Sequence, residues 1–214
     1  MTTPSSPSSR APLLLATSNA GKVREFRRLL DGYRLTTPTD LNLQVSVEET
    51  GRTFCDNAAL KATAFAEASG LIALADDSGL EVDALDGAPG TRSARYGGPD
   101  LDDLGRCRLL LRELEAVGER ERTARFRCCV VAASADGRTC RAEGICEGGI
   151  AFEPAGHGGF GYDPIFVVPE YGQTMAQLPA AVKNQLSHRA RAARHLRELL
   201  ATAFPELADT GTGA

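Results

Sequence analysis

Apolar positions along the chain follow two periods, and the switch between them outlines the elements. Val23, Phe26, Leu29 and Leu30 recur at helical spacing, predicting a helix that begins near Ala20. Phe54, Ala58, Ala62 and Phe65 define a second amphipathic helix, with Thr53 placed as its N-cap. Leu101, Leu104, Cys107, Leu111, Leu114 and Val117 give the clearest helical stripe. Residues 188–203 predict a last helix, rich in arginine at Arg189, Arg191, Arg194 and Arg197. Between these stripes lie segments of strand character: PLLLATS, LQVSV (43–47), LIALAD, LEVDAL, ARFRCCVVAAS, RTCRAEGICEGG and PIFVVP. Asp136-Gly137 separates the two longest strands and signals a hairpin. Crossover-length and hairpin connections intermix, which implies an α/β fold with a mixed sheet flanked by helices. No Pro/Ser-rich break or internal repeat interrupts residues 12–203, so a single domain over 12–205 is expected, with disordered tails at 1–11 and 206–214.

Composition narrows the partners. The 214 residues carry a formal charge of −4, so extended nucleic-acid binding would need a local basic groove. No run approaches a membrane-spanning length, and the TTPSSPSSRAP start lacks the hydrophobic core of a signal peptide. None of the six cysteines forms a CxxC pair, and most stand where a small hydrophobe would serve. They are expected to be reduced thiols in a cytoplasmic protein.

Five polar constellations carry the chemistry. The apolar run through Ala75 meets Asp76 and Asp77, and Ser78-Gly79 reads as a turn. Paired negative charge is costly unless donors or a cation neutralise it. Neighbouring side chains of an extended chain face opposite sides, so one carboxylate should face a site and the other cap the turn or the following backbone. An ordinary Asx-type turn with two solvated carboxylates is the plainer alternative.

Thr17 to Lys22, TSNAGK, stand at a strand-to-helix junction, where free backbone N–H groups and a lysine attract anions. It is not a Walker A loop, because Ala16 and Val23 occupy the decisive places. Glu48 and Glu49 are ordinary solvated residues unless the fold brings them near Asp77, where a divalent cation would want one or two carboxylates. HGGFGYDP (157–164) offers a backbone that approaches a ligand closely, with Phe160 to stack on a ring; a packed hairpin loop is the alternative. KNQLSHR opens the last helix with Ser187 as N-cap and places Lys183, His188 and Arg189 as donors. Acidic residues for a metal, two lysines for phosphates and a Gly-Phe-Gly platform together describe a nucleotide site.

LLATSNAGKVREF, EETGRTFCDNAALKA, ADDSGLEVDALDGAPGTRSARYGG, EPAGHGGFGYDPIFVVP and KNQLSHR resemble the inosine triphosphate pyrophosphatases, which hydrolyse non-standard purine nucleoside triphosphates. The resemblance covers residue 13 to about 200. It implies an elongated mixed sheet in two lobes with a central cleft, a homodimer and Mg²⁺ dependence. By position, Thr17, Ser18, Asn19, Ala20, Gly21 and Lys22 look like the triphosphate loop, and Asp77 like the catalytic carboxylate that also serves the metal. Ser78 contacts substrate in that picture. Phe160, Gly161, Tyr162 and Asp163 resemble the nucleoside loop, completed by Lys183, His188 and Arg189. Glu49 is the second metal carboxylate, with Glu48 as its alternative.

The implied reaction converts ITP, dITP or XTP to the monophosphate and pyrophosphate, through water attack on the α-phosphorus with Mg²⁺ present. Lys22 and Lys183 would share the pyrophosphate charge. Donors aimed at purine position 6 accept a keto oxygen and reject the adenine amino group. A nucleotide sensor that binds without cleaving and a pyrophosphatase for pyrimidine or standard nucleotides are the rival expectations. Cys55, Ala181 and Val182 depart from residues often acidic in that family, beside the motifs rather than within them.

Overall fold

The computed structural model describes residues 10–208. One seven-stranded sheet organises them in the order β2-β1-β3-β4-β5-β6-β7. β1 (Leu13–Leu15) lies parallel to β2 (Leu35–Thr36) on one side and to β3 (Ile72–Val82) on the other. β3, β4 (Thr123–Ala133) and β5 (Thr139–Ile150) then run antiparallel, and the short β6 (Phe166–Val168) and β7 (Gln173–Thr174) complete the far edge. The sheet is mixed but mostly antiparallel, and helices flank it.

The period-2 alternation of β4 decides which helix covers which face. Cys129, Val131 and Ala133 pack with Ala58 and Ala62 of α2 (Phe54–Ser69). Cys128, Val130 and Ala132 pack with Ala192 and Leu196 of α5 (His188–Ala203) and Phe26 of α1 (Ala20–Leu29). Further along the same strands a third cluster gathers Leu80, Val82, Ala124 and Phe126 against Cys107 and Leu110 of α3 (Asp103–Glu113) and its C-cap Leu114. Apolar burial on either side of Asp76–Gly79 thus builds two lobes, and the polar stretch of β3 crosses between them.

Local rules place the helix starts. Asn19 Oδ1 accepts from the Lys22 N–H at 3.1 Å and opens α1. Thr53 and Asp56 close a reciprocal capping box at α2. Ser187 caps α5 through the Ala190 N–H. The strand pair with Asp136-Gly137 at its tip is β4–β5, as the periodicity requires.

Five expectations need correction. Ser78-Gly79 makes no turn: β3 continues through it to Val82, so LIALAD and the start of LEVDAL are one strand, and Asp83–Leu85 form a 3-10 turn. Glycine is required there by a close approach, since a Cβ on Gly79 would lie 2.4 Å from the Gly90 carbonyl oxygen. Residues 43–47 form no strand; Leu43, Val45 and Val47 pack against the α2 cluster while the segment pairs with no ladder. Lys183 does not open the last helix but sits on a separate short α4 (Ala180–Leu186), which Ser187 terminates. Order extends past 205, because Pro205–Leu207 make a 3-10 turn that buries Leu207. The rest of the expected tails, 1–9 and 209–214, lies outside the described residues. Finally, Cys55 and Cys129 are joined in a disulfide, whereas Cys107, Cys128, Cys140 and Cys146 are free. Cys55 lies in the first turn of α2 and packs against the cluster that covers β4, which brings the two sulfurs together across that interface.

Candidate active site

Where β3 crosses between the lobes, its alternation sends Asp76 and Ser78 to the α5 side and Asp77 to the α2 side. Asp76 is fully buried and meets two cations, Lys22 Nζ at 3.0 Å and Arg189 Nε at 3.2 Å. Arg189 Nη2 donates to Ser78 Oγ at 2.7 Å, and its Nη1 pairs with Glu25 Oε2 at 2.6 Å. Glu25 Oε1 in turn holds Lys183 Nζ at 2.7 Å, and Lys183 reaches Asp163 Oδ2 at 2.5 Å. Asp163 accepts the Phe160 N–H at 2.9 Å. One chain of charges therefore ties the phosphate-type loop before α1 to the glycine-rich loop at 157–164.

Asp77 has a different neighbourhood. Asn57 Nδ2 donates to Oδ2 at 3.1 Å, and Lys61 Nζ lies 3.5 Å from Oδ1. Lys61 also pairs with Glu49 Oε1 at 2.8 Å, whose other oxygen takes Arg95 at 2.7 Å. Asn57 and Lys61 are four residues apart on α2, so both point to the same face.

Adjacent carboxylates are thereby tuned in opposite directions. Burial pushes Asp76 up, but the charges of Lys22, Arg189 and Lys61 outweigh it and hold the group well below the usual carboxylate range. For Asp77 burial prevails over Lys61, Lys22 and the Asn57 hydrogen bond, and its affinity for a proton is raised. Such a split separates a permanent anion from a group able to take a proton. Burial, with Arg189 and Lys183 adding to it, drives His188 far below the ordinary imidazole range, so it is neutral at physiological pH. Its ring stacks on Phe126 with centroids 4.7 Å apart, and Nδ1 is buried with no partner.

A cleft of about 1120 Å³ joins these groups. Its lining includes Thr17, Ser18, Asn19 and Lys22, then Glu49, Lys61, Asp77 and Ser78, and Phe160 to Asp163 with Lys183, His188 and Arg189. Ala20 and Gly21 do not line it; Gly21 lies beneath the Phe160 ring instead. Glu48 is exposed outside the cleft, and Glu49 lies within it. Tyr162 is buried in the α3 cluster, and its hydroxyl donates to the Ser93 carbonyl at 3.0 Å. Lys183 stands beside the aromatic platform, 5.1 Å from the Phe160 ring centroid. Asp76 caps no turn; it anchors Lys22 and Arg189 from below.

A family model described as the Ham1 family matches residues 13–199. The chain belongs to the Ham1 family. Among its relatives is a "dITP/XTP pyrophosphatase" of Desulforamulus reducens, 52% identical over 190 residues that cover 88% of this chain and 94% of that protein. Another of that name, from Nitratidesulfovibrio vulgaris, is 51% identical over 199 residues, covering 89% and 96%. A solved Ham1 protein from Coxiella burnetii superposes with a TM-score of 0.81 at 40% identity, over 90% of this chain and all of that one. Ham1 membership and the shared cleft thus agree on the same stretches of sequence.

Sequence reasoning missed Asn57, Lys61, Glu25 and Arg95. Asn57 was detectable in principle, since it sits beside Ala58 on a buried helical stripe where an amide needs a partner. Lys61 follows one turn later. Glu25 shows no comparable signal, because its partners Lys183 and Arg189 are remote in sequence.

Proposed function

We propose that this chain hydrolyses the non-standard purine nucleoside triphosphates ITP, dITP and XTP to the monophosphate and pyrophosphate. The observation that carries this reading is the single cleft shared by Lys22, Asp77, Phe160 and Lys183, in a chain of the Ham1 family. The names of its relatives supply the substrate class.

The triphosphate lies over residues 17–22, where the free N–H groups at the start of α1 and the Lys22 ammonium receive anionic oxygens. The purine rests on Phe160, with Lys183, His188 and Arg189 around its edge. Asp77 accepts the proton of the attacking water, the role its raised proton affinity suits. Lys61 holds Asp77 and Glu49 in register. Asp76 stays charged and fixes Lys22 and Arg189, so the donors are positioned before substrate arrives.

Glu49 and Asp77 also fit a divalent cation. Their oxygens already converge on one ammonium, at 2.8 and 3.5 Å, and Mg²⁺ takes one or two carboxylates together with water and substrate phosphates. When bound, Mg²⁺ neutralises phosphate oxygens and eases departure of pyrophosphate. Glu49 rather than Glu48 is the partner of Asp77 in this reading, because Glu48 lies outside the cleft. The reading extends to a cytoplasmic homodimer without a nucleic-acid polymer or membrane partner, supported by the family resemblance, the net charge of −4 and the absence, among the described residues, of a helix able to span a membrane.

Pyrophosphate release from ITP, dITP and XTP, set against GTP, ATP and dUTP with Mg²⁺, tests it. Turnover of the first three above the others is expected, and Asp77→Asn should abolish release while binding survives. Binding of ITP with no pyrophosphate formed would leave a sensor in place of an enzyme.

A further inference from the structure

The N-terminal turn of α3 grips the nucleoside loop at one peptide. Asp103 Oδ2 accepts the Gly161 N–H at 2.7 Å, and Cys107 Sγ lies 3.5 Å from the Gly161 carbonyl oxygen. Residues 103 and 107 share a helix face, and Arg106 lies on that face, three residues after Asp103. Its side chain is 13% exposed and lines the cleft. Among the described residues its one ion-pair partner is Asp103 Oδ1, at 3.6 Å, and Arg106 Nε is buried with no hydrogen-bond partner. A buried donor left unpaired is costly, so a guanidinium held this way beside a ligand cleft calls for an acceptor from the ligand.

Lys183 and Arg189 lie over the Phe160 ring from α4 and α5, whereas Arg106 lines the same cleft from α3. Three separate elements therefore border a purine lying on Phe160. We propose that Arg106 reads purine position 2. It donates to the 2-oxo group of xanthine and opposes the 2-amino group of guanine, a donor facing a donor. Xanthine also has an acidic ring N–H next to that carbonyl, and a fixed positive charge favours its anion. Hypoxanthine carries only hydrogen at this position and is neither attracted nor repelled there. The inference rests on the nucleotide reading of the cleft and adds what sets XTP and GTP apart.

ITP, XTP and GTP share ribose and triphosphate and differ at position 2, so ratios of kcat/KM isolate Arg106 from every common contact. Arg106→Met keeps a long apolar stem and removes the donors. The XTP:ITP ratio should fall by roughly tenfold to a hundredfold, the usual worth of a hydrogen bond to a charged group. The GTP:ITP ratio should rise, and Arg106→Lys should recover part of the XTP preference. Equal losses on XTP and ITP, or ratios that do not move, would overturn the assignment. Failure of the unaltered protein to release pyrophosphate from ITP would instead remove the nucleotide reading itself, and this inference with it.

Discussion

Asn57 and Asp77 face each other across the α2–β3 interface, with Nδ2 3.1 Å from Oδ2. The same amide accepts the Gly51 N–H through Oδ1 at 2.8 Å, so its orientation is fixed from the loop that carries Glu49. In the role proposed for Asp77, a carboxylate held in this way loses little freedom when substrate binds. Asn57→Leu removes both contacts without adding charge. The expected result is a fall in kcat of about tenfold to a hundredfold with KM little changed, measured by pyrophosphate release. A KM effect alone would place Asn57 in substrate binding.

Lys61 acts on the same carboxylate by charge. Burial raises the proton affinity of Asp77, and the Lys61 ammonium opposes that rise. Since Asp77 must be deprotonated to accept a proton from water, activity climbs with pH as it ionises. Lys61→Met removes the opposing charge, so Asp77 binds its proton more tightly and the acidic limb moves to higher pH. A pH profile of kcat/KM at saturating Mg²⁺ checks the direction; a shift to lower pH contradicts the assignment.

These two side chains show where the sequence was legible. The strand period separates Asp76 from Asp77 without any structure, and the helical stripe of α2 is plain from Phe54 to Phe65. What the stripe conceals is that Asn57 and Lys61 lie at its border and turn toward a strand twenty and sixteen residues away. The pairing of Arg189 with Asp76 spans 113 residues and leaves no local trace. Residues 43–47 misled for a physical reason: alternation reports burial on one side, and here the burial comes from packing on α2 without a neighbouring strand.

Gly21 supports the aromatic platform. A Cβ at that position would stand 2.7 Å from Phe160 Cδ1. Gly21→Ala stays compatible with α1, where alanine is the better helix former by about 1 kcal/mol, so the helix itself is not weakened. The ring must move, however, and the purine loses its surface. Expected are a KM for ITP raised several-fold and unchanged or slightly higher thermal stability. An unaltered KM would show that Phe160 is free to settle elsewhere.

Cys55 and Cys129 lock α2 to β4 directly behind this machinery, since Cys129 is the ladder partner of Asp77. Closing a loop of 74 residues restrains the unfolded chain, an effect of about 2 to 4 kcal/mol. The double replacement Cys55→Ser with Cys129→Ala should lower the denaturant midpoint by a matching amount. Dithiothreitol should do the same to the unaltered protein and nothing to the variant. Equal midpoints with and without reductant would mean that the thiols are not paired in solution.

Asp76, buried beneath the cleft, should carry a large stability effect. Lys22 and Arg189 meet its fully buried carboxylate, and Arg189 itself is almost wholly enclosed. Asp76→Asn leaves both cations facing a neutral amide, and breaking a buried pair from one side costs about 3 to 5 kcal/mol. The pH dependence has a definite sign. Because the folded protein holds Asp76 below the ordinary 3.8, its stabilisation is present above that value and drains away as the pH falls through the lowered one. Chemical unfolding at pH 7 should therefore separate the two proteins widely, and the gap should narrow in strong acid. A constant gap across that range would mean that Asp76 stabilises the fold by shape and hydrogen bonding rather than by its charge.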